Sequence, residues 1–144
     1  MDPEGRVLLL HGWDPHRPDD PFWFTIGGAA EGSETLPEAA ARELLEETGI
    51  VAAPAAFGTP IETSVADFTW AGMRFYQDQA FYALALPAGT VVSFDGQEWM
   101  ERATTDRHGW LHPADLEDGG QDRPADPDLP RVMRLAVTAV HGAR

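Results

Sequence analysis

The sequence predicts an α/β domain, α+β in some classifications, in which a mixed β-sheet carries helices on its faces. Strand-like apolar runs stand on both sides of one central helical pattern, and a second helical pattern closes the chain. No internal repeat and no dividing linker interrupts the 144 residues, so residues 1–144 read as a single domain, long enough to bury a core.

Taken in order, Asp2-Pro3-Glu4-Gly5 reads as a turn and residues 6–10 as the first strand. Residues 11–21, with three prolines, read as a polar loop. Residues 22–26 form a second strand closed by Gly27-Gly28, and a glycine-rich, acidic loop leads into a helix over residues 36–48. Thr35 and Glu38 have the spacing of a capping box, and Pro37 fits the first turn. Gly49 stands where a left-handed C-terminal cap belongs. Further strands are expected at residues 61–65, 74–86 and 107–111, the last running into a turn at 113–116. Residues 117–127, rich in Asp, Gly and Pro, read as a mobile loop. A final helix starts after Asp128 and runs to about His141, with Gly142 as its stop.

The composition excludes several classes of partner. A net charge of −14 argues against a nucleic-acid polymer or an anionic membrane, both of which select basic surfaces. A small phosphorylated substrate remains compatible, because bound divalent metal can invert the potential of one pocket. All ten basic residues are arginine, so any side-chain grip on phosphate comes from Arg, His or metal. Without cysteine there is no disulfide framework and no thiolate ligand or nucleophile. The N-terminus lacks the basic and apolar regions of a secretory signal, and no apolar run approaches the roughly 20 residues of a membrane helix. A cytoplasmic location is the default expectation.

The chemistry is concentrated in residues 28–50, GAAEGSETLPEAAARELLEETGI. On a helix, Glu43, Glu46 and Glu47 fall within one stripe of roughly 100°. Pro37, Ala40, Ala41, Leu44 and Leu45 occupy a different face, available for the core. Carboxylates at these spacings repel by a few tenths of a kcal/mol per pair. A divalent cation reverses that sign, and hard cations such as Mg²⁺ take oxygen ligands while keeping positions open for water and substrate phosphates. A solvated acidic face would account for the glutamates, but not for a glycine pair, an acidic loop and Arg42 at defined spacings.

This segment resembles the Nudix box, Gly-x5-Glu-x7-Arg-Glu-U-x-Glu-Glu-x-Gly-U with U aliphatic. Gly28, Glu34, Arg42, Glu43, Leu44, Glu46, Glu47, Gly49 and Ile50 meet every defined position. The resemblance implies the Nudix fold, an α/β/α sandwich around a mixed sheet, and hydrolysis of a nucleoside diphosphate linked to another group. It implies Mg²⁺ or Mn²⁺ as cofactor, with Glu46 and Glu47 as principal ligands. Glu43 matches the position used as a ligand or as the base that activates water. Gly28, or its neighbour Gly27, would offer a backbone carbonyl to the metal. Arg42 and Glu34 match positions that orient the helix and its loop, and Gly49 ends the box. Two departures stand out: Ile26 replaces a proline common before the glycine pair, and family members normally carry a strand before a turn such as Asp2–Gly5. The resemblance therefore implies a first strand lying before residue 1. Many relatives dimerise, so a homodimer is among the expected states.

Outside the box, relatives often add a carboxylate from a distant loop, as second-metal ligand or base. Glu98 and Glu101 are the candidates, and Glu101 is preferred for its placement before His108-Gly109-Trp110. A solvated loop glutamate is the competing reading. Gln77 and Gln79 interrupt an apolar strand and either face the substrate cleft or form the strand's polar face. Arg74 could grip a phosphate. Trp70 and Trp99, near loops, could stack a base, whereas one of Trp23 and Phe24 belongs to the core. The five histidines show no metal-ligand spacing and read as structural or exposed. The rival to an enzyme is a non-catalytic nucleotide-binding sensor of the same fold. Retention of all four box glutamates favours the enzyme.

Overall fold

The computed structural model describes residues 1–142. Five strands and three helices are arranged as β1 (Val7–Asp14), β2 (Arg17–Phe24), α1 (Leu36–Thr48), β3 (Glu62–Trp70), β4 (Met73–Phe81), α2 (Trp99–Thr104), β5 (Thr105–Leu111) and α3 (Leu129–His141). Strands β2-β1-β5 form one antiparallel sheet, and β3-β4 form a separate antiparallel hairpin. The parallel pairing outside these strands is a single bridge between Trp23 and Pro124.

Alternation along β1 separates two cores, as a period-2 strand buried on both faces requires. Leu9 packs with Trp23, Leu111, Leu129 and Met133 on the α3 side. Leu8 packs with Leu44, Ile50 and Phe57 on the α1 side, where Trp110 and Ile26 join them. The sheet is thus sandwiched between the two long helices, as the fold class expects. Helix α1 is framed as its sequence predicts: the Thr35–Glu38 capping box is formed in both directions. Gly49 closes the helix at φ 75°, donating to the Leu45 carbonyl. Leu45 departs from its expected place in the core and is exposed, because Leu44 and the alanines already fill the buried face.

Residues 11–21 are not a loop. They complete a hairpin: β1 runs on to Asp14, the chain turns at Pro15-His16, and β2 starts at Arg17. The Asp14 carboxylate holds that turn by accepting from the His16 and Ala71 amides at 2.9 and 3.0 Å. Prolines 18 and 21 are tolerated because β2 is an edge strand, where an absent N–H costs the sheet no ladder bond. Residues 117–127 are likewise tied down. Trp23 donates to the Arg123 carbonyl and accepts from the Ala125 amide, Arg123 pairs with Asp20, and Asp122 reaches His11.

The expected strand over 74–86 ends at Phe81. Beyond it the backbone of Leu84 and Leu86 exchanges hydrogen bonds with Met1 instead of β3. Strand β3 is longer than expected because Trp70 and Met73 close a tight turn over Ala71 and Gly72. Helix α2 and a 3-10 turn at Pro54–Phe57, which buries Phe57, carry no clear sequence pattern.

Candidate functional site

Three carboxylates from two helices converge on the α1 side of the sheet. Glu43 and Glu47 lie one turn apart on α1 and Glu101 sits in the first turn of α2, with one oxygen of each within 4.8 Å of the others. The glycine loop determines how closely the chain can approach. At Gly28 a Cβ would run into the Glu43 carboxylate, so a side chain there would have to push that carboxylate aside. The Gly27 amide donates to Glu47 Oε2 at 2.9 Å.

Arg42 ties the loop to the helix. Its guanidinium donates twice to Glu34 (2.9 and 3.0 Å), once to the Ala29 carbonyl (3.0 Å), and to Glu43 (2.9 Å) and Glu46 (3.2 Å). Fork-shaped donation of this kind gives geometric definition as well as charge balance. The Arg42 bonds hold Glu34 below the usual carboxylate range.

One arginine is too little positive charge for the cluster. Glu47 is 5% exposed, and burial pushes its carboxyl up to about 9, against the opposing Gly27 amide and with help from the neighbouring glutamates. Glu43 is raised by burial even though Arg42 bonds it, and Glu101 is raised by burial beside Glu98 and Glu46. Buried acids with raised pKa and no full set of counter-charges mark a functional site. The donor set fits a hard divalent cation: all oxygen, three converging carboxylates, and a surplus of negative charge that such an ion would neutralise.

Glu46 stands beside this cluster, more exposed and bonded to Arg42. Of the two distal candidates, Glu101 joins the cluster, whereas Glu98 is the exposed N-cap of α2. Four of the sequence-nominated substrate residues, Trp70, Arg74, Gln77 and Gln79, lie on the β3-β4 hairpin. Arg74 is paired with Asp67 across the β3-β4 hairpin, and Gln79 donates to Ser64 on the same hairpin. Gln77 is opposite Ala66, and Trp70 ends β3. Gln79 also lines a hollow of about 410 Å³ shared with Leu36, at the start of α1. Trp99, 76% exposed, opens the helix that carries Glu101.

Two buried polar residues escaped sequence reasoning. Gln97 donates to the Glu47 carbonyl, but a glutamine between a glycine and a helix cap carries no pattern that signals burial. His11, read only as structural or exposed, is 3% exposed between Asp106 (2.5 Å) and Asp122 (2.7 Å), with its ring edge-on to Trp23. An alternating strand could have suggested its burial, but its partners are 95 and 111 positions away.

A family model described as the NUDIX domain matches residues 1–135. Among solved structures, the MutT protein from Methanosarcina mazei Go1 shares 21% identity over 93% of this chain and 86% of that one, with a TM-score of 0.62. The E. coli dihydroneopterin triphosphate pyrophosphohydrolase shares 22% identity over 96% and 86%, also with a TM-score of 0.62. A C. elegans Ap4A hydrolase, in a binary complex, shares 14% identity over 96% and 88%, with a TM-score of 0.60. These likenesses show a common fold.

Proposed function

The chain belongs to the Nudix hydrolase family, and from that premise we propose that it cleaves a diphosphate linkage in a nucleoside diphosphate joined to another group. Mg²⁺ or Mn²⁺ would be held by Glu43, Glu47 and Glu101. Glu46 and the Gly28 carbonyl would stand by as further oxygen donors. The observation that carries this reading is the convergence of three carboxylates, two buried and one half-buried, all raised by desolvation and only one of them bonded by an arginine. A divalent cation held by these residues would supply charge neutralisation to diphosphate oxygens and acidify a water.

The side chains supply the rest. Arg42 keeps Glu43 and the glycine loop in register, so the carboxylates are fixed before substrate arrives. Glu43 or Glu101, whose carboxyls burial raises, would take a proton from the attacking water. Glu47, most buried of the three, is best placed as a fixed ligand. The substrate is small and phosphorylated, and the site of action is the cytoplasm. Trp99, beside Glu101, is the proposed base-stacking surface.

The test is a phosphate-release screen with Mg²⁺ and with Mn²⁺. Similar folds named for Ap4A and for dihydroneopterin triphosphate recommend a panel spanning dinucleoside polyphosphates, triphosphates and nucleotide sugars. Glu46→Gln and Glu47→Gln serve as controls. Metal-dependent turnover of at least one member is expected, and no turnover above both controls on any of them overturns the proposal.

A further inference from the structure

The last turn of a helix leaves four carbonyls without intrahelical partners. In α1 these belong to Leu45, Glu46, Glu47 and Thr48, and the chain supplies donors to three of them. Gly49 donates to Leu45 (2.9 Å) and Ser93 to Thr48 (2.8 Å). The Glu46 carbonyl faces Gly96, where a Cβ would sit 3.0 Å from it. The Glu47 carbonyl receives a side chain: Gln97 Nε2, at 3.3 Å.

Residues 93–97 therefore lie across the end of the catalytic helix, and α2 begins directly after them. Its first turn closes on itself, since the Glu98 amide donates to Glu101 Oε2 at 3.2 Å. Two links thus join the acidic groups of different helices. The Glu47 backbone is held by Gln97, and the Glu101 carboxylate is held by the residue that follows Gln97.

The Gln97 amide is retained at a cost. The residue is 7% exposed, and its Oε1 is buried without a partner. An unsatisfied buried acceptor is unfavourable, and an apolar side chain of the same length would avoid it. The Gln97 Nε2, however, gives the Glu47 carbonyl the donor that such a side chain would take away.

We propose that Gln97 is a positioning residue of the acidic cluster, coupling the last turn of α1 to the segment that carries Glu101 and so setting the spacing of Glu43, Glu47 and Glu101. This rests on the reading that those three carboxylates hold a divalent cation. Residues behind metal ligands typically change metal affinity by about 10–100-fold when removed.

The experiment is a Mn²⁺ titration, followed by electron paramagnetic resonance, of the wild-type protein and Gln97→Met. It is run at a temperature where near-UV circular dichroism shows both to be folded. The variant should bind Mn²⁺ at least about tenfold more weakly and lose kcat with little change in KM. Gln97→Asn, which keeps the amide but shortens its reach, replaces it if Gln97→Met does not fold. Unchanged Mn²⁺ affinity in the folded variant overturns the inference, whatever the melting temperature does. A wild-type protein that binds no Mn²⁺ overturns the metal-site reading itself, and this inference with it.

Discussion

On the α3 side of the three-stranded sheet, His11 is held between two carboxylates, one at the start of β5 and one in the segment before α3. On the α1 side, three glutamates share a space smaller than a side chain, and one arginine reaches the nearest of them. The first cluster is closed. Each ring nitrogen of His11 lies within hydrogen-bond distance of a carboxylate oxygen, so neither is left without a partner. The second is open: burial raises the carboxyls of all three acids, and the one arginine bonds only one of them. Ionic groups that complete one another hold a fold together, whereas groups left incomplete are waiting for something the chain does not contain.

The sharpest way to break this contrast is to remove charge from the open cluster. Glu47→Gln should lower metal-dependent turnover by on the order of 10³-fold, while raising the melting temperature of the metal-free protein. Calorimetry in EDTA beside a turnover assay checks both signs, and a lower melting temperature would contradict the assignment of strain to that carboxylate. Arg42→Ala should cost about 10²-fold in turnover, since it frees the glycine loop and Glu34 together. Here steady-state kinetics should show a loss mainly in kcat.

The closed cluster should behave in the opposite way. His11→Leu is expected to destabilise by about 2–3 kcal/mol, lowering the melting temperature by about 6–12 °C, with Mn²⁺ affinity unchanged. A weakened Mn²⁺ site would mean that the two sides of the sheet are coupled.

A pH series sharpens the same point. Burial raises Glu47 from 4.5 to about 9, so its contribution to stability is fully present below pH 4.5 and lost as pH rises through 9. In EDTA the wild-type protein should lose stability across that window. The slope should flatten in Glu47→Gln, and equal slopes would refute the assignment. The smallest expected effect is at the far end of α1. Thr35→Ala should cost about 1 kcal/mol by chemical denaturation and leave Mn²⁺ affinity alone, separating the stability of the helix from the placement of its acids.

The open cluster was the more legible of the two. Glycine pair, arginine and two of the three glutamates sit within 23 consecutive residues, where helical period gathers those two acids onto one face, and only Glu101 arrives from another helix. The caps of α1 follow from Thr35, Glu38 and Gly49 for the same local reason. The closed cluster was not legible, because His11, Asp106 and Asp122 meet only after the sheet has formed. Prolines caused the other misreading: in residues 11–21 they suggested a loop, and only the order of the strands shows that β2 is an edge that tolerates them. Arg74 and the two glutamines were chosen for chemistry without a position, and they lie on a hairpin whose own partners already occupy Arg74 and Gln79.

The segment that runs beside β2 has a further consequence. Its backbone pairs with Trp23 on both sides of Pro124, so it covers the end of the edge that β2 would otherwise present to solvent. An open strand edge is a template on which other chains can pair and aggregate. A protease cut within residues 121–125 would therefore do more than nick a surface loop. It would uncover that edge, and the cleaved protein should be recognised first by its loss of solubility.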